Sequence, residues 1–243
     1  MKLKKLVLTA ILSSMSIVLN EFVSVRIPPS NTIFTLSLGI IPILFIAYYA
    51  GILYSTVAAV IIDVLGWLIG GTSSPFNLGF TFNAFLSGLI LGLTIMFKDK
   101  LKGKPGRILI IITELIYTLV TIPIFLIFFN KFGLSARYNF NNASIIIVSI
   151  AAIANILLVF YSLVMDKNDE SNAVTLGFQI YQIIVSLLLT PLWVHILYGS
   201  NYIALWAMRL ISVPILTIVY ALISELILKT LTKIYKAGHF NEK

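Results

Sequence analysis

The 243-residue chain contains no cysteine, only two histidines, and Asp, Glu, Lys and Arg make up only 11% of it. Without cysteine there can be no disulfide, no thiolate nucleophile and no cysteine-ligated metal. His195 and His239 alone do not form a histidine-rich metal site. So few charges cannot cover the surface of a water-soluble domain.

Motifs of catalytic chemistry are missing as well. The sequence has no Gly-x-Ser-x-Gly elbow, no HExxH pair and no P-loop. A buried nucleophile needs a base within hydrogen-bond reach, and no such pairing is visible. We therefore expect no catalytic residue, no metal, no cofactor and no enzymatic activity.

Apolar residues dominate what remains. Hydrophobic residues make up 59% of the chain and its mean hydropathy is +1.03. A span needs about 20 apolar residues. The sequence predicts an all-α polytopic transmembrane bundle in one membrane domain, residues 1–243. The eight candidate spans are 6–25, 36–50, 51–71, 80–97, 108–129, 144–165, 174–198 and 203–235, with a turn near Ala50 and Gly51 dividing the second from the third. Six spans is the alternative.

The distribution of cations indicates orientation in the cell membrane. Although the net charge is +8, the basic residues follow the loops instead of forming one face for nucleic acid. Eight alternating spans with both termini in the cytoplasm place thirteen of the 17 Lys and Arg residues inside. The apolar run after MKLKK lacks a small-residue cleavage site, so we interpret it as the first span.

Small residues recur at helical spacing on three spans. Lipid tails compete for apolar side chains, so helices associate where small residues let their backbones approach. The ridges are Ala84, Gly88 and Gly92 on the fourth span, Gly66 and Gly70 on the third, and Ala10 with Ser14 on the first. We expect the first two to pack helices within this chain. For Ala10 and Ser14 a partner protein is equally plausible.

Four carboxylates fall within or near the spans, where ionisable groups are costly and face an interior. Asp63 is the most informative, because no cation lies within a helical turn of it. For the other three, we weigh structural pairing above function: Glu21 with Arg26, Glu114 with Arg107 or a lysine, and Glu225 with Lys229.

Aromatic and polar side chains share the predicted outer depth of the membrane. Singly, such aromatics are interfacial anchors. Together they can hold a planar polar ligand between rings, with polar groups at its edge. This candidate ligand-binding set is Arg26, Asp63, Trp67, Phe80, Asn83, Trp193, His195, Tyr198 and Arg209.

Several runs carry a family resemblance. They are RIPPSN, LGIIPI, AGILYS, IIDVLGWLIG, GFTFNAFLSGLILG and LLLTPLWVHILYGSNYIALWAMRLI. Across residues 1–98 and 174–235 the sequence resembles the folate-type substrate-binding S components of energy-coupling factor (ECF) vitamin transporters. The resemblance implies a six-helix core that captures a vitamin at the outer face. It also implies a transmembrane coupling subunit and two ABC-type ATPases as partners, docked at Ala10 and Ser14.

Two departures from the family pattern stand out. Residues 107–172 resemble an inserted helical hairpin, which accounts for two additional spans. The late run Leu189-Thr190-Pro191-Leu192-Trp193 lacks the asparagine that the family tends to have there.

The resemblance suggests which residues would contact each part of a folate or pterin-like vitamin. Asp63, helped by Asn83, would accept hydrogen bonds from adjacent N–H donors of the pterin. The rings of Trp193, Phe80 and Trp67 would stack on it. Arg26 and Arg209 would pair with the glutamate carboxylates at the solvent-exposed end of the vitamin.

The sequence leaves other functions open. One is an S component for another vitamin or precursor, such as hydroxymethylpyrimidine or thiamine. Another is a non-transport membrane assembly subunit, whose polar residues merely pack. A self-sufficient secondary carrier is the weakest of them.

Overall fold

The computed structural model of the chain describes residues 2–22, 25–26, 35–70, 76–131, 153–161, 171–199 and 202–240. These residues are helical apart from short connections and one antiparallel pair of two-residue strands, β1 (Val25–Arg26) and β2 (Thr35–Leu36). The helices are α1 (Lys2–Glu21), α2 (Ile40–Tyr49), α3 (Ile52–Ile69), α4 (Leu78–Met96), α5 (Lys104–Lys131), α6 (residues 153–161), α7 (Ser171–Tyr198) and α8 (Tyr202–Phe240). A 3-10 turn, Lys98–Leu101, joins α4 to α5.

The predicted all-α polytopic membrane bundle is confirmed. Within the described residues, five segments are long and apolar enough to cross a membrane, namely α1, α3, α4, α7 and Ser212–Leu231 of α8. The second predicted span differs. Helix α2 has ten residues, a rise of about 15 Å, or about half the hydrocarbon thickness.

The turn that divides α2 from α3 lies where the sequence predicts it. Gly51 connects the two helices at φ 104°, a backbone conformation that side chains with a Cβ disfavour. Nearly the whole of α2, from Ile40 to Ala47, is buried. A helix that is apolar all round needs such enclosure, and α2 lies in the core against α1, α3 and α4.

Contacts between neighbouring helices fix their relative directions. Ser16 Oγ donates to Gly39 O at 2.6 Å while Lys5 Nζ donates to Ala50 O at 3.1 Å, so α1 and α2 are antiparallel. Arg209 contacts Ser186, whereas Glu225 contacts Ser171, so α7 and α8 are antiparallel too. This alternation agrees with the predicted topology, and the side of the membrane on which each end lies stays a prediction.

The glycine ridge of α4 packs within the chain, as expected. A Cβ on Gly88 would overlap the carbonyl oxygen of Ser55, and one on Gly92 would lie 2.7 Å from Cγ1 of Ile52. Ser55 Oγ also donates to Gly88 O at 3.0 Å. The missing side chains therefore let α3 and α4 approach backbone to backbone.

Gly66 and Gly70 contact the C-terminal end of α1. A Cβ on Gly70 would lie 2.7 Å from Glu21 Oε2, and one on Gly66 would lie 3.4 Å from Oε1 of the same side chain. The carboxylate of Glu21 therefore rests against the glycine face of α3.

Helix α6 and the turn that precedes α5 contact α7 and α8 through polar groups. Tyr161 Oη donates to Glu225 Oε1 at 2.9 Å, and Ser171 Oγ donates to the same oxygen. Asn172 Nδ2 donates to the carbonyls of Leu101 and Gly103 at 3.1 and 3.0 Å. The assignment of residues 107–172 as an insertion stays a prediction.

Candidate functional site

A cavity of about 400 Å³ lies between α2, α3, α4, α7 and α8, with the end of α1 at its edge. Its wall carries a carboxylate, a guanidinium, several hydroxyls and amides, and aromatic rings from helices far apart in sequence. The polar and aromatic lining residues are Asn20, Ser37, Asp63, Phe80, Asn83, Ser87, Tyr181, Gln182, Ser186, Thr190, Arg209, Ser212 and Tyr220. Its volume falls in the range of small-molecule sites.

Asp63 faces this cavity from α3. It is partly buried, and its Oδ2 accepts a hydrogen bond from Thr81 Oγ1 of α4 at 2.8 Å. Thr81 thereby orients the carboxylate while leaving acceptor capacity on Oδ1. A partly buried carboxylate with spare acceptor capacity suits a ligand that presents N–H donors.

Asn83 lies opposite α7 and is only 6% exposed. Its Nδ2 donates to Thr190 Oγ1 at 3.2 Å, and its Oδ1 accepts from Trp193 Nε1 at 3.1 Å. Because Trp193 can only donate and Thr190 donates its own proton to Val185 O at 2.7 Å, these partners fix which way the amide points.

Trp193 has a different place from the one expected. It does not line either of the two cavities described here, and its indole covers the backbone at Gly79, where a Cβ would overlap the ring. Its contact with the site is the hydrogen bond to Asn83. The structure thus pairs Trp193 with Asn83, and stacking of its ring on a ligand stays a prediction.

Arg209 of α8 lines the cavity wall. It donates from one terminal nitrogen to Ser186 O at 3.0 Å and to Ser186 Oγ at 2.9 Å. Its Nε is buried without a hydrogen-bond partner among the described residues, and so is Oε1 of the neighbouring wall residue Gln182. An unpaired buried donor and acceptor cost free energy that a polar ligand would recover.

The middle of α7 is π-helical from Gln182 to Leu189. Helical turns of this kind are rare and frequently lie at functional sites, because the widened turn re-aims side chains. Here the segment supplies Gln182, Val185 and Ser186 to the cavity. Sequence reasoning missed Gln182 and Ser186, although two glutamines three residues apart in an apolar run are a usable signal.

A second cavity of about 270 Å³ adjoins the first and shares Asn20, Ile62, Asp63 and Phe80 with it. Its further polar and aromatic lining residues are Glu21, Trp67, Phe76 and Asn77. The rings of Trp67 and Phe76 meet edge to face, with centroids 5.1 Å apart. We name this the outer cavity and the larger one the inner cavity.

Some predicted site residues lie elsewhere. His195 and Tyr198, on the last turns of α7, are exposed and line neither cavity. The side chain of Arg26 falls outside the described residues, and only its backbone pairing with Thr35 is known. The structure therefore brings together Asp63, Trp67, Phe80, Asn83 and Arg209.

The first helix presents its small residues outward. Ala10 and Ser14 are not buried within the bundle, and Ser14 Oγ donates to Ala10 O at 3.0 Å, which satisfies the hydroxyl within the helix. Large apolar side chains flank them, with Leu6 59% and Ile11 61% exposed.

Among the described residues, no group of three or more potential metal ligands occurs.

Comparisons with known proteins bear on the fold. No family profile and no curated protein sequence matches the chain. Five solved chains match, among them a crystal structure of FolT bound with folic acid, with a TM-score of 0.55 and 19% sequence identity over 92% of each chain. This similarity agrees with the resemblance of the sequence to folate-type S components, and the chain has the fold of FolT.

Proposed function

We propose that this protein is the substrate-binding S component of an ECF-type vitamin transporter and that it captures a folate or pterin-like vitamin. The observation that carries the proposal is the inner cavity, in which Asp63, Asn83 and Arg209 converge from three helices. The fold supports it, since the solved structure of FolT with the same fold contains folic acid.

The chemistry of the wall suits a flat ring with polar edges. A carboxylate accepts hydrogen bonds from two adjacent N–H groups, as a pterin presents them, and Asp63 is the natural acceptor, because Oδ2 keeps a second lone pair beside its bond from Thr81 and Oδ1 supplies the other acceptor. Phe80 lines both cavities and offers a ring for stacking. We propose that Asn83 fixes the shape of the cavity wall, because its amide is already engaged by Thr190 and Trp193.

We assign to Arg209 a ligand contact other than the glutamate carboxylates at the solvent-exposed end of the vitamin. It lines the inner cavity and not the outer one, and Ser186 holds it there. We therefore assign to it an acceptor within the inner cavity, such as a ring carbonyl or an amide oxygen of the ligand. Arg26 remains the candidate partner of the glutamate carboxylates.

A second ligand class has specific support. Glu21 and Asp63 both line the outer cavity, together with the rings of Trp67, Phe76 and Phe80. Carboxylates beside aromatic rings favour a cationic or donor-rich group. An S component for hydroxymethylpyrimidine or thiamine is thus the alternative within transport, and a non-transport assembly subunit is the alternative outside it.

The ligand is identified by extracting the detergent-purified protein and measuring the released small molecules by mass spectrometry. We expect a folate or another pterin. Recovery of thiamine or a pyrimidine would replace the ligand and keep the transport function. Recovery of no ligand, together with no binding of any of these compounds in calorimetry, would refute a vitamin-binding function.

The transport partners follow from the same proposal. Such a component delivers its vitamin through a transmembrane coupling subunit and two ABC-type ATPases, and we place the docking surface at Ala10 and Ser14 of α1. Bulk on this stripe would block close helix approach, so Ser14→Trp is expected to abolish co-purification of the coupling subunit. Leu226→Trp, at an apolar side chain on α8 that is 62% exposed, is the control expected to retain it. Unchanged co-purification of Ser14→Trp would contradict this docking surface.

A further inference from the structure

A buried polar pair connects α5 to α7, away from the cavities described above. Glu114 is 2% exposed and Gln179 is 0% exposed. Gln179 Nε2 donates to Glu114 Oε2 at 2.7 Å and to the carbonyl of Ile110 at 3.3 Å. Both amide hydrogens of Gln179 are therefore used.

The other two oxygens of the pair are unpaired. Glu114 Oε1 and Gln179 Oε1 are both buried without a hydrogen-bond partner among the described residues. Turning the amide of Gln179 over would not help, because its oxygen would then face two acceptors, Glu114 Oε2 and Ile110 O. Two neighbouring groups thus each lack a donor, although they already share one bond.

One added proton supplies the missing donor. A carboxylic acid and a primary amide can form two parallel hydrogen bonds, N–H to the carboxyl oxygen and O–H to the amide oxygen. We propose that Glu114 carries a proton on Oε1 and donates it to Gln179 Oε1, so that the membrane interior of this protein holds a proton-binding carboxyl–amide pair. The pair is then neutral, and no charge is buried in the low-dielectric part of the bundle.

The proposal assigns a role to a helix that lies within the predicted insertion. Tyr117, one turn further along α5, is also buried, at 4% exposure, so the face of α5 that carries Glu114 and Tyr117 is turned into the bundle. Gln179 lies three residues before the first π-helical residue, Gln182. The pair therefore fixes α5 against α7 immediately beside the segment that forms the inner cavity.

Infrared spectroscopy of the full-length protein tests the protonation directly. A protonated carboxyl absorbs apart from an ionised one, so the spectrum of Glu114→Gln at neutral pH should lose one carboxylic-acid band. Asp99→Asn is the matched control, because Asp99 is exposed and paired with Lys102 at 3.1 Å, and no acid band should be lost. If Glu114→Gln loses no acid band, Glu114 is ionised and the proposal fails.

A second measurement separates the proton from other occupants. A glutamine in place of Glu114 can form the same two-bond pair with Gln179, so Glu114→Gln should keep the wild-type melting temperature, while Gln179→Leu should lower it. A cation between the two oxygens, or a water that donates to both of them, would instead leave Glu114 ionised. A fall in melting temperature for Glu114→Gln, or a sodium-dependent melting temperature in the wild type, would overturn the proposal.

Discussion

Replacement of Asp63 by asparagine tests the ligand-binding assignment at its centre. The substitution keeps the size of the side chain, and the new amide oxygen can still accept from Thr81, which donates to Asp63 at 2.8 Å in the wild type. It removes the charge and turns one acceptor towards the ligand into an N–H₂ donor. A pterin that presents two donors then keeps one bond, to the neutral amide oxygen, and faces a repulsive contact at the N–H₂ group.

The expected loss follows from the strength of such bonds. A hydrogen bond to a charged group contributes about 1.5–3 kcal/mol, against about 0.5–1.5 kcal/mol for a neutral pair. Exchanging two bonds of the first kind for one of the second weakens binding by about 2–5 kcal/mol, or roughly 30- to 5,000-fold in Kd. Because Asp63 is only partly buried, the lower end of this range applies if water reaches the ring edge.

Isothermal titration calorimetry of the purified protein with folic acid measures the change. Asp99→Asn is the matched control, since it removes an equal charge from an exposed position, and its Kd should equal that of the wild type. A normal melting temperature for Asp63→Asn shows that the fold is intact. An unchanged Kd for Asp63→Asn with every vitamin that the wild type binds would refute the carboxylate assignment.

Two further substitutions test the architecture of the site and of the bundle. Trp193→Phe keeps an aromatic ring but removes the hydrogen bond to Asn83. We therefore expect calorimetry to show binding weakened by about 1 kcal/mol, or roughly fivefold in Kd. A loss comparable to that of Asp63→Asn would point to direct stacking on the ligand. Gly88→Val would drive a side chain into the backbone of Ser55 and should lower the free energy of unfolding by about 1–3 kcal/mol or prevent folding, as measured by thermal unfolding in detergent. Phe85→Leu on the same helix is the control and should change stability little, because that ring is 39% exposed. Equal melting temperatures would show that α3 and α4 are not in close contact.

Local signals made the bundle predictable. Gly51 follows fifteen apolar or small residues, and a glycine there is typical of a break between helices, which the structure confirms. The four-residue spacing of Gly88 and Gly92 predicted a close helix contact for the same reason: helical periodicity places both on one face. These features depend only on neighbours in sequence.

The wall of the site depends on contacts that sequence spacing does not contain. Depth in the membrane can be counted along a helix, and it predicted His195 and Tyr198 at the level of the site. The direction in which a side chain points around the helix axis cannot be counted in this way, because the π-helical turns that begin at Gln182 change the angular step between residues. A period of 3.6 residues therefore misassigns side chains beyond them, and both residues face outward. The partnership of Trp193 with Asn83 likewise joins residues 110 positions apart.

The junction at Glu225 limits how this chain can be shortened. Hydroxyls from Tyr161 and Ser171 satisfy one oxygen of a carboxylate that is only 4% exposed. A variant that deletes residues 107–172 to restore a six-helix chain removes both donors and leaves this buried carboxylate oxygen without them. Any minimal version must therefore change Glu225 to an apolar residue in the same step, and swaps of these helices between relatives must move all three positions as one unit.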